Sequence, residues 1–279
     1  MATDPSILWP AAPSPVVKRF FGKWIARMLR SDFAAVRTHA DTADHLRALE
    51  RRTTPAVVLM NHASWWDPLL GMHLAANLCP SRELIAPMEM AMLRKFAFFR
   101  KLGVFGIEPD HPQAPQALNA YVLETFRTRP GSSFWLTPQG TFADVRTPIR
   151  LRPGAASVAA SVHAAFGSVD VLCIAAELVF WTDRKPEALF RIAPCPCPRP
   201  DSTLAWLRAM TATMQSNADA LAAAAVARDP AAFSPLLGGA AARVNPLYDL
   251  WLRLTGRSGA LEVTRREGSP ASAPVEARS

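Results

Sequence analysis

Apolar residues recur along this chain with two different periods. Between residues 16 and 30 the pairs Val16-Val17, Phe20-Phe21, Trp24-Ile25 and Met28-Leu29 return every four positions. That spacing is near the 3.6 residues of a helical turn, so the pairs are expected to form one stripe. Lys18, Arg19, Lys23, Arg27 and Arg30 fill the gaps, and no acidic residue lies between Asp4 and Asp32. The segment predicts a basic amphipathic helix, membrane-associated, with Trp and Phe on a face that suits an anionic bilayer interface. The competing reading is a helix packed on the domain core with its basic side in water.

From about residue 40 short apolar runs alternate with helical patterns. Strands are predicted over residues 56–60, 83–86, 104–107, 133–137, 170–175 and 188–192. Helices are predicted between and after them, over 68–77, 88–101, 113–127, 154–165 and 202–227. Such alternation predicts an α/β fold with a largely parallel central sheet, and the apolar strands call for helices on both faces. Leu247, Leu250, Trp251 and Leu254 make a second short apolar stripe. The tail over 257–279 is rich in Gly, Ser, Pro and Arg and is expected to be disordered. The chain therefore divides into an N-terminal segment (1–40), one domain (41–256) and the tail.

Charge narrows the partners. The formal net charge is +8, which fits anionic surfaces or phosphorylated substrates. Nucleic acid is not expected as a partner, because no basic and aromatic recognition motif accompanies the charge. Cys79 and Cys173 sit in apolar surroundings and read as buried thiols, while Cys195-Pro196-Cys197 lacks the second pair that zinc would need. No run of eighteen apolar residues exists to span a bilayer, and the first thirty residues lack the charge order of a signal peptide. With the basic helix, this predicts a peripheral protein on the cytoplasmic face of a membrane.

The segment Asn61-His62-Ala63-Ser64-Trp65-Trp66-Asp67 carries the candidate chemistry. It follows the apolar run 56–60, at a strand end, where open α/β folds tend to place their ligands. A histidine can take a proton from a hydroxyl near neutral pH, and a carboxylate can hold its ring in one tautomer. Two tryptophans imply an apolar setting. Asp67 followed by Pro68 also reads as a helix start, with the carboxylate as cap.

The segment resembles the first signature of the glycerolipid acyltransferase family: Asn-His, four residues, then Asp, with Ser and Trp inside. A second match follows. The strand Ser133-Phe134-Trp135-Leu136-Thr137 runs into Pro138-Gln139-Gly140-Thr141 and is similar to the family's Pro-Glu-Gly-Thr-Arg block. Gln139 replaces the glutamate, and Phe142 the arginine. Residues 102–109 resemble a further block, with Pro109 where the family has an arginine associated with acceptor phosphate. Arg146, Arg150 and Arg152 are candidates to supply substitute charge. Residues 171–176 occupy the place of a fourth block without its proline. The resemblance covers roughly residues 50–180.

The resemblance implies that His62 is a general base and Asp67 its orienter. It implies substrate contacts from Asn61, Ser64, Pro138, Gln139, Gly140 and Thr141, with backbone N–H groups near Gly140 stabilising an oxyanion. The implied donor is acyl-CoA or acyl-carrier protein, the acceptor a membrane lipid hydroxyl, and no cofactor or metal is required. The altered positions leave the acceptor open: a lysophospholipid, a 1-acylglycerol-3-phosphate-like lipid or another lipid alcohol. Met90, Met92, Leu93, Phe96, Phe98 and Phe99 read as core, with an acyl channel or membrane contact as alternatives. No Gly-x-Ser-x-Gly elbow, Gly-rich phosphate loop or recognised metal-ligand spacing around His62, Asp67 and His73 occurs. A non-catalytic lipid-binding protein of the membrane surface is the remaining rival.

Overall fold

The six strands expected from the sequence all form, and three more join them. The structure is a computed structural model that describes residues 4–238 apart from 41, 182 and 201. The stripe at 247–254 and the tail lie outside those residues. The elements run β1 (Leu8–Trp9), α1 (Pro15–Asp32), β2 (Ala35–His39), α2 (Ala43–Glu50), β3 (Ala56–Met60), α3 (Asp67–Leu78), β4 (Glu83–Glu89) and α4 (Met90–Lys95). They continue as β5 (Val104–Ile107), α5 (Ala114–Thr128), β6 (Ser132–Leu136), α6 (Gly154–Phe166), β7 (Asp170–Val179), β8 (Glu187–Pro194), α7 (Thr203–Ala227) and β9 (Phe233–Gly238).

Among the described residues the sheet has the strand order β1-β5-β4-β6-β3-β7-β8-β2-β9. Its centre, β5-β4-β6-β3-β7, is wholly parallel. Beyond it β8 turns antiparallel to β7, β2 runs parallel to β8, and β9 antiparallel to β2. β3 lies at the middle and explains the unbroken apolar run. Ala56, Val58 and Met60 enter one core and Val57 and Leu59 the other, because successive side chains point to opposite faces. All five are buried, so helices must cover both sides. Among the helices, α1, α2 and α3 contribute to the first core and α5, α6 and α7 to the second.

Two elements depart from expectation. The helix expected over 88–101 is broken: β4 continues to Glu89, α4 follows, and Ala97–Leu102 forms a 3₁₀ turn. Parallel pairing of Ala86–Glu89 with Val104–Ile107 holds the first residues extended, so tertiary pairing overrides helical periodicity. Gly103 ends the turn at φ 103, where a Cβ would lie 2.1 Å from the Leu84 carbonyl oxygen. The aromatic stretch that reads as core is divided: Met90 and Leu93 are buried, whereas Met92, Phe96 and Phe98 are exposed.

Helix α1 starts at a Ser14 cap that accepts from the Val17 N–H, with Pro15 as its first residue. Its apolar pairs do not form one stripe. Ile25 and Leu29 are buried, with Phe21 and Met28 packed against the same core, while Val16, Phe20 and Trp24 stay exposed. At Phe20-Phe21 and Trp24-Ile25 the first member faces outward and the second inward, whereas Met28 and Leu29 both meet the core. No helix among the described residues is long and apolar enough to cross a membrane.

His73 on α3 is buried, and its neighbour Asn77 donates to its carbonyl at 2.7 Å. Burial, reinforced by the charge of Arg30, lowers its pKa from 6.5 to about 4. The unfolded chain therefore takes up a proton near pH ~6.5 that the folded chain refuses. This stability is complete above about pH 6.5, declines as pH falls, and is fully lost below about pH 4; the total is about 3 kcal/mol. His73→Met removes that dependence. Melting curves between pH 7 and 4 should fall less steeply for the variant than for the wild type, and equal slopes would exclude His73 as the cause.

Candidate active site

Asn61, His62 and Ser64 lie in the turn from β3 into α3, and Asp67 is the first residue of α3. His62 Nδ1 lies 2.9 Å from Asp67 Oδ2. The same oxygen accepts the backbone N–H of Ala63 at 2.7 Å and of Ser64 at 2.8 Å. A carboxylate oxygen gathering two backbone donors is an acceptor, so Nδ1 carries the hydrogen and Nε2 keeps its lone pair. Asp67 is 2 % exposed and His62 18 % by side chain, so the orienter is sheltered while the ring keeps an edge toward solvent. The carboxylate reaches back to the preceding turn and does not cap α3, whose N-cap position is Trp66. The positive end of the helix dipole favours a negative charge at that place.

The second matching segment closes on the same histidine. Gln139 Oε1 accepts the His62 N–H at 2.7 Å, and the His62 carbonyl accepts from Ala143 N–H at 2.8 Å. The Phe142 ring lies against the imidazole, with centroids 4.2 Å apart. Residues 139–143 thus hold the His62 backbone while Asp67 holds its ring. Phe142 itself is exposed and forms an apolar lip at the imidazole.

The expected substrate contacts separate into different roles. Asn61 is buried, and its amide is committed to β7: Nδ2 donates to the Ala176 carbonyl at 3.0 Å and Oδ1 accepts the Ala176 N–H at 2.7 Å. It extends the β3–β7 ladder past the strand end and fixes the turn. Ser64 Oγ accepts the Trp66 N–H at 3.0 Å and shapes the same turn. Pro138 is buried, and its carbonyl accepts from Arg152 N–H at 2.8 Å. Gln139 positions His62. Thr141 is exposed beside the site.

Gly140 adopts φ 70, and its N–H donates to the Thr137 carbonyl at 3.1 Å. That N–H is used by the turn, so Gly140 does not offer an oxyanion donor. A Cβ on Gly140 would sit 2.6 Å from Arg152 Nε. The absent side chain lets the Arg152 guanidinium lie against the loop, and the arginine itself is exposed. Of the three candidates for substitute charge, Arg146 is paired to Asp144 through two bonds of 2.8 and 2.6 Å. Arg152 is the one placed against the loop that clamps His62.

The two tryptophans part company. Trp66 packs edge-on against the buried Phe33, 5.0 Å between centroids, and Trp65 is 66 % exposed. Glu177 lies close to the site along the chain of β7. It follows Ala176 on β7, is half-buried, and desolvation holds its carboxyl above the ordinary range against the opposing charge of Arg146. Its place, one residue beyond the Asn61 partner Ala176, shows only through the β3–β7 register. Among the described residues no group of three His, Cys, Asp or Glu side chains is assembled to hold a metal.

Chemically, this is an imidazole with one nitrogen fixed and the other free, at an open strand end with exposed apolar side chains. Residues 40–176 match the family model described as Acyltransferase. That span contains the His62 and Asp67 pair and the loop that clamps it. No curated protein matches the chain.

Proposed function

The chain belongs to the acyltransferase family through its domain over residues 40–176, and on that premise we propose that it acts at a membrane surface, moving a fatty acyl group from an acyl thioester to a lipid hydroxyl. It is a transferase, which sets aside the non-catalytic rival. The observation that carries the reading is the His62 and Asp67 pair, with Nδ1 tied at 2.9 Å and Nε2 left to act as base.

In this mechanism His62 Nε2 removes the proton from the acceptor hydroxyl as its oxygen attacks the thioester carbonyl. Asp67 holds Nδ1–H and stabilises the imidazolium that forms. The tetrahedral intermediate then expels the thiolate, an ester bond replaces the C–S bond, and the proton passes from His62 to sulfur. No covalent acyl-enzyme is needed. The donor is acyl-CoA or acyl-carrier protein, and the acceptor a lysophospholipid, a 1-acylglycerol-3-phosphate-like lipid or another lipid alcohol. On this reading the protein sits peripherally on the cytoplasmic face of a membrane; the membrane contact itself is supported by the exposed Val16, Phe20 and Trp24 among the basic residues of α1, with Phe98 beside them.

The test is a panel of lipid alcohols offered with each donor type, read by mass spectrometry. The expected result is one acylated product that appears only with enzyme and thioester. Thioester hydrolysis without any acylated lipid across the panel would overturn the proposal.

A further inference from the structure

A groove of about 1020 Å³ lies between α1 and α3, away from His62. It is lined by residues of α1, by Met72, His73, Ala76 and Asn77 of α3, and by Glu83 and Leu84 at the start of β4. Asp67 opens α3 at the catalytic end of the sheet, and Asn77 lies ten residues further along, about 15 Å at 1.5 Å per residue. β3 and β4 both run parallel to β6, so the first residues of β4 mark the opposite end from the His62 turn. The volume is at the upper end of the ~300–1,000 Å³ usual for small-molecule sites.

Its charge is one-sided. Six cationic side chains line it, Lys18, Arg19, Lys23, Arg30, Arg82 and Arg129, against the single carboxylate of Glu83. Glu83 is already shared by Lys18 at 3.2 Å and Arg129 at 3.1 Å. Arg82 donates to the backbone carbonyls of Leu49, Arg52, Thr54 and Ser132 and is consumed there. Arg19, Lys23 and Arg30 remain, with no ion pair to any described residue. At ~100° per residue these three fall within about 40° of one another around α1.

The floor beneath them is apolar, with Phe21, Ile25, Met72 and Leu102 among the lining residues. Gly22 and Ala26 of α1 also face the groove, and a Cβ on Gly22 would meet nothing within 4 Å. On the other side of the three cations α1 exposes Val16, Phe20 and Trp24, with Phe98 beside them. The cations therefore form a rim between an apolar groove and an apolar outer strip. A soluble anion would satisfy the rim and leave the floor bare. An amphiphile with a phosphate head and an acyl chain satisfies both.

We propose that the groove between α1 and α3 is a second lipid site, separate from the catalytic one, that holds an anionic phospholipid. The phosphate meets Arg19 and Lys23, about 6 Å apart along the axis of α1, Arg30 extends the positive rim about 10 Å further along, and one chain lies along Phe21 and Met72. The choice of a membrane lipid as occupant rests on the membrane-surface reading given above. Its test does not depend on turnover.

The purified full-length protein is incubated in detergent with dioleoyl phosphatidylglycerol or dioleoyl phosphatidylcholine and examined by native mass spectrometry. One phosphatidylglycerol should be retained per chain, and phosphatidylcholine at least tenfold less. Gly22→Leu fills the groove without altering charge, and Arg19→Gln with Lys23→Gln removes the phosphate contacts. Both should lose the retained lipid, while Arg27→Gln with Arg94→Gln, an equal charge loss outside the groove, should keep it. Acyl transfer to a short-chain soluble acceptor should survive in Gly22→Leu. Retention of the lipid by Gly22→Leu, equal retention of both lipids, no retained lipid, or displacement of the lipid by acyl-CoA would each overturn the proposal. Loss of acyl transfer with lipid retention intact would instead count against the catalytic reading alone.

Discussion

His62→Ala is expected to lower kcat/KM for acyl transfer by about 10²–10⁴-fold, the usual contribution of a positioned general base. The fold should be unaffected. The structural bonds at this position are made by the backbone: the N–H to Gln139 Oε1 and the carbonyl to Ala143 N–H. Alanine retains both. Asp67 keeps its two backbone donors from Ala63 and Ser64 after the imidazole is gone. Steady-state rates by mass spectrometry, set beside a thermal melt of the same preparation, separate the two quantities. Wild-type turnover by the variant would remove His62 from the mechanism. A melt shifted by many degrees would mean that the ring does more for the fold than its 18 % exposed side chain indicates.

Much of this arrangement was legible before the structure, and the reason differs from residue to residue. The five-residue separation of His62 and Asp67 follows a strand run buried on both faces, so the turn and its place at the strand end follow from the pattern. The central parallel strands were legible because each is a short apolar run bounded by helical periodicity. β2, Ala-Val-Arg-Thr-His, was not, because it owes its strand state to pairing with β8 and β9 and its pattern alone is weak. Gln139 was legible only as a block match. That its carbonyl oxygen meets the His62 N–H across 77 residues depends on β3 and β6 being neighbours in register. The Asn61 contact with β7 was hidden for the same reason: that its amide binds both the N–H and the carbonyl of Ala176 shows only once β3 and β7 are seen as neighbours. The pairs of α1 suggest one stripe because four-residue spacing is close to the helical repeat. Side by side, however, the two members of a pair are about 100° apart, enough at Phe20-Phe21 and Trp24-Ile25 to place one in the core and the other outside it.

Asp67 offers a cleaner dissection of the site, because one oxygen does three things. Oδ2 accepts from His62 Nδ1, Ala63 N–H and Ser64 N–H. Asp67→Asn can keep a carbonyl oxygen in that position, so the turn and the Nδ1–H tautomer persist while the negative charge is lost. The imidazolium that forms during proton transfer then lacks its counter-charge. At about 4 Å and an effective dielectric of ~20, such a pair is worth up to about 4 kcal/mol. A fall in kcat of about 10²–10³-fold is expected, with KM and the melting temperature nearly unchanged. Asp67→Ala should behave differently. It frees the ring to adopt the other tautomer, and it strands two backbone donors at a cost of about 1–3 kcal/mol each. Its activity should drop to the level of His62→Ala, and its melting temperature should fall where that of Asp67→Asn does not. Adding His62→Ala to Asp67→Ala should cost little further activity, since the two side chains act as one unit. Equal kcat and equal melting temperature for the asparagine and alanine variants would show that charge and orientation are not separable at Asp67. Full additivity in the double variant would show that the carboxylate works on something other than the His62 ring.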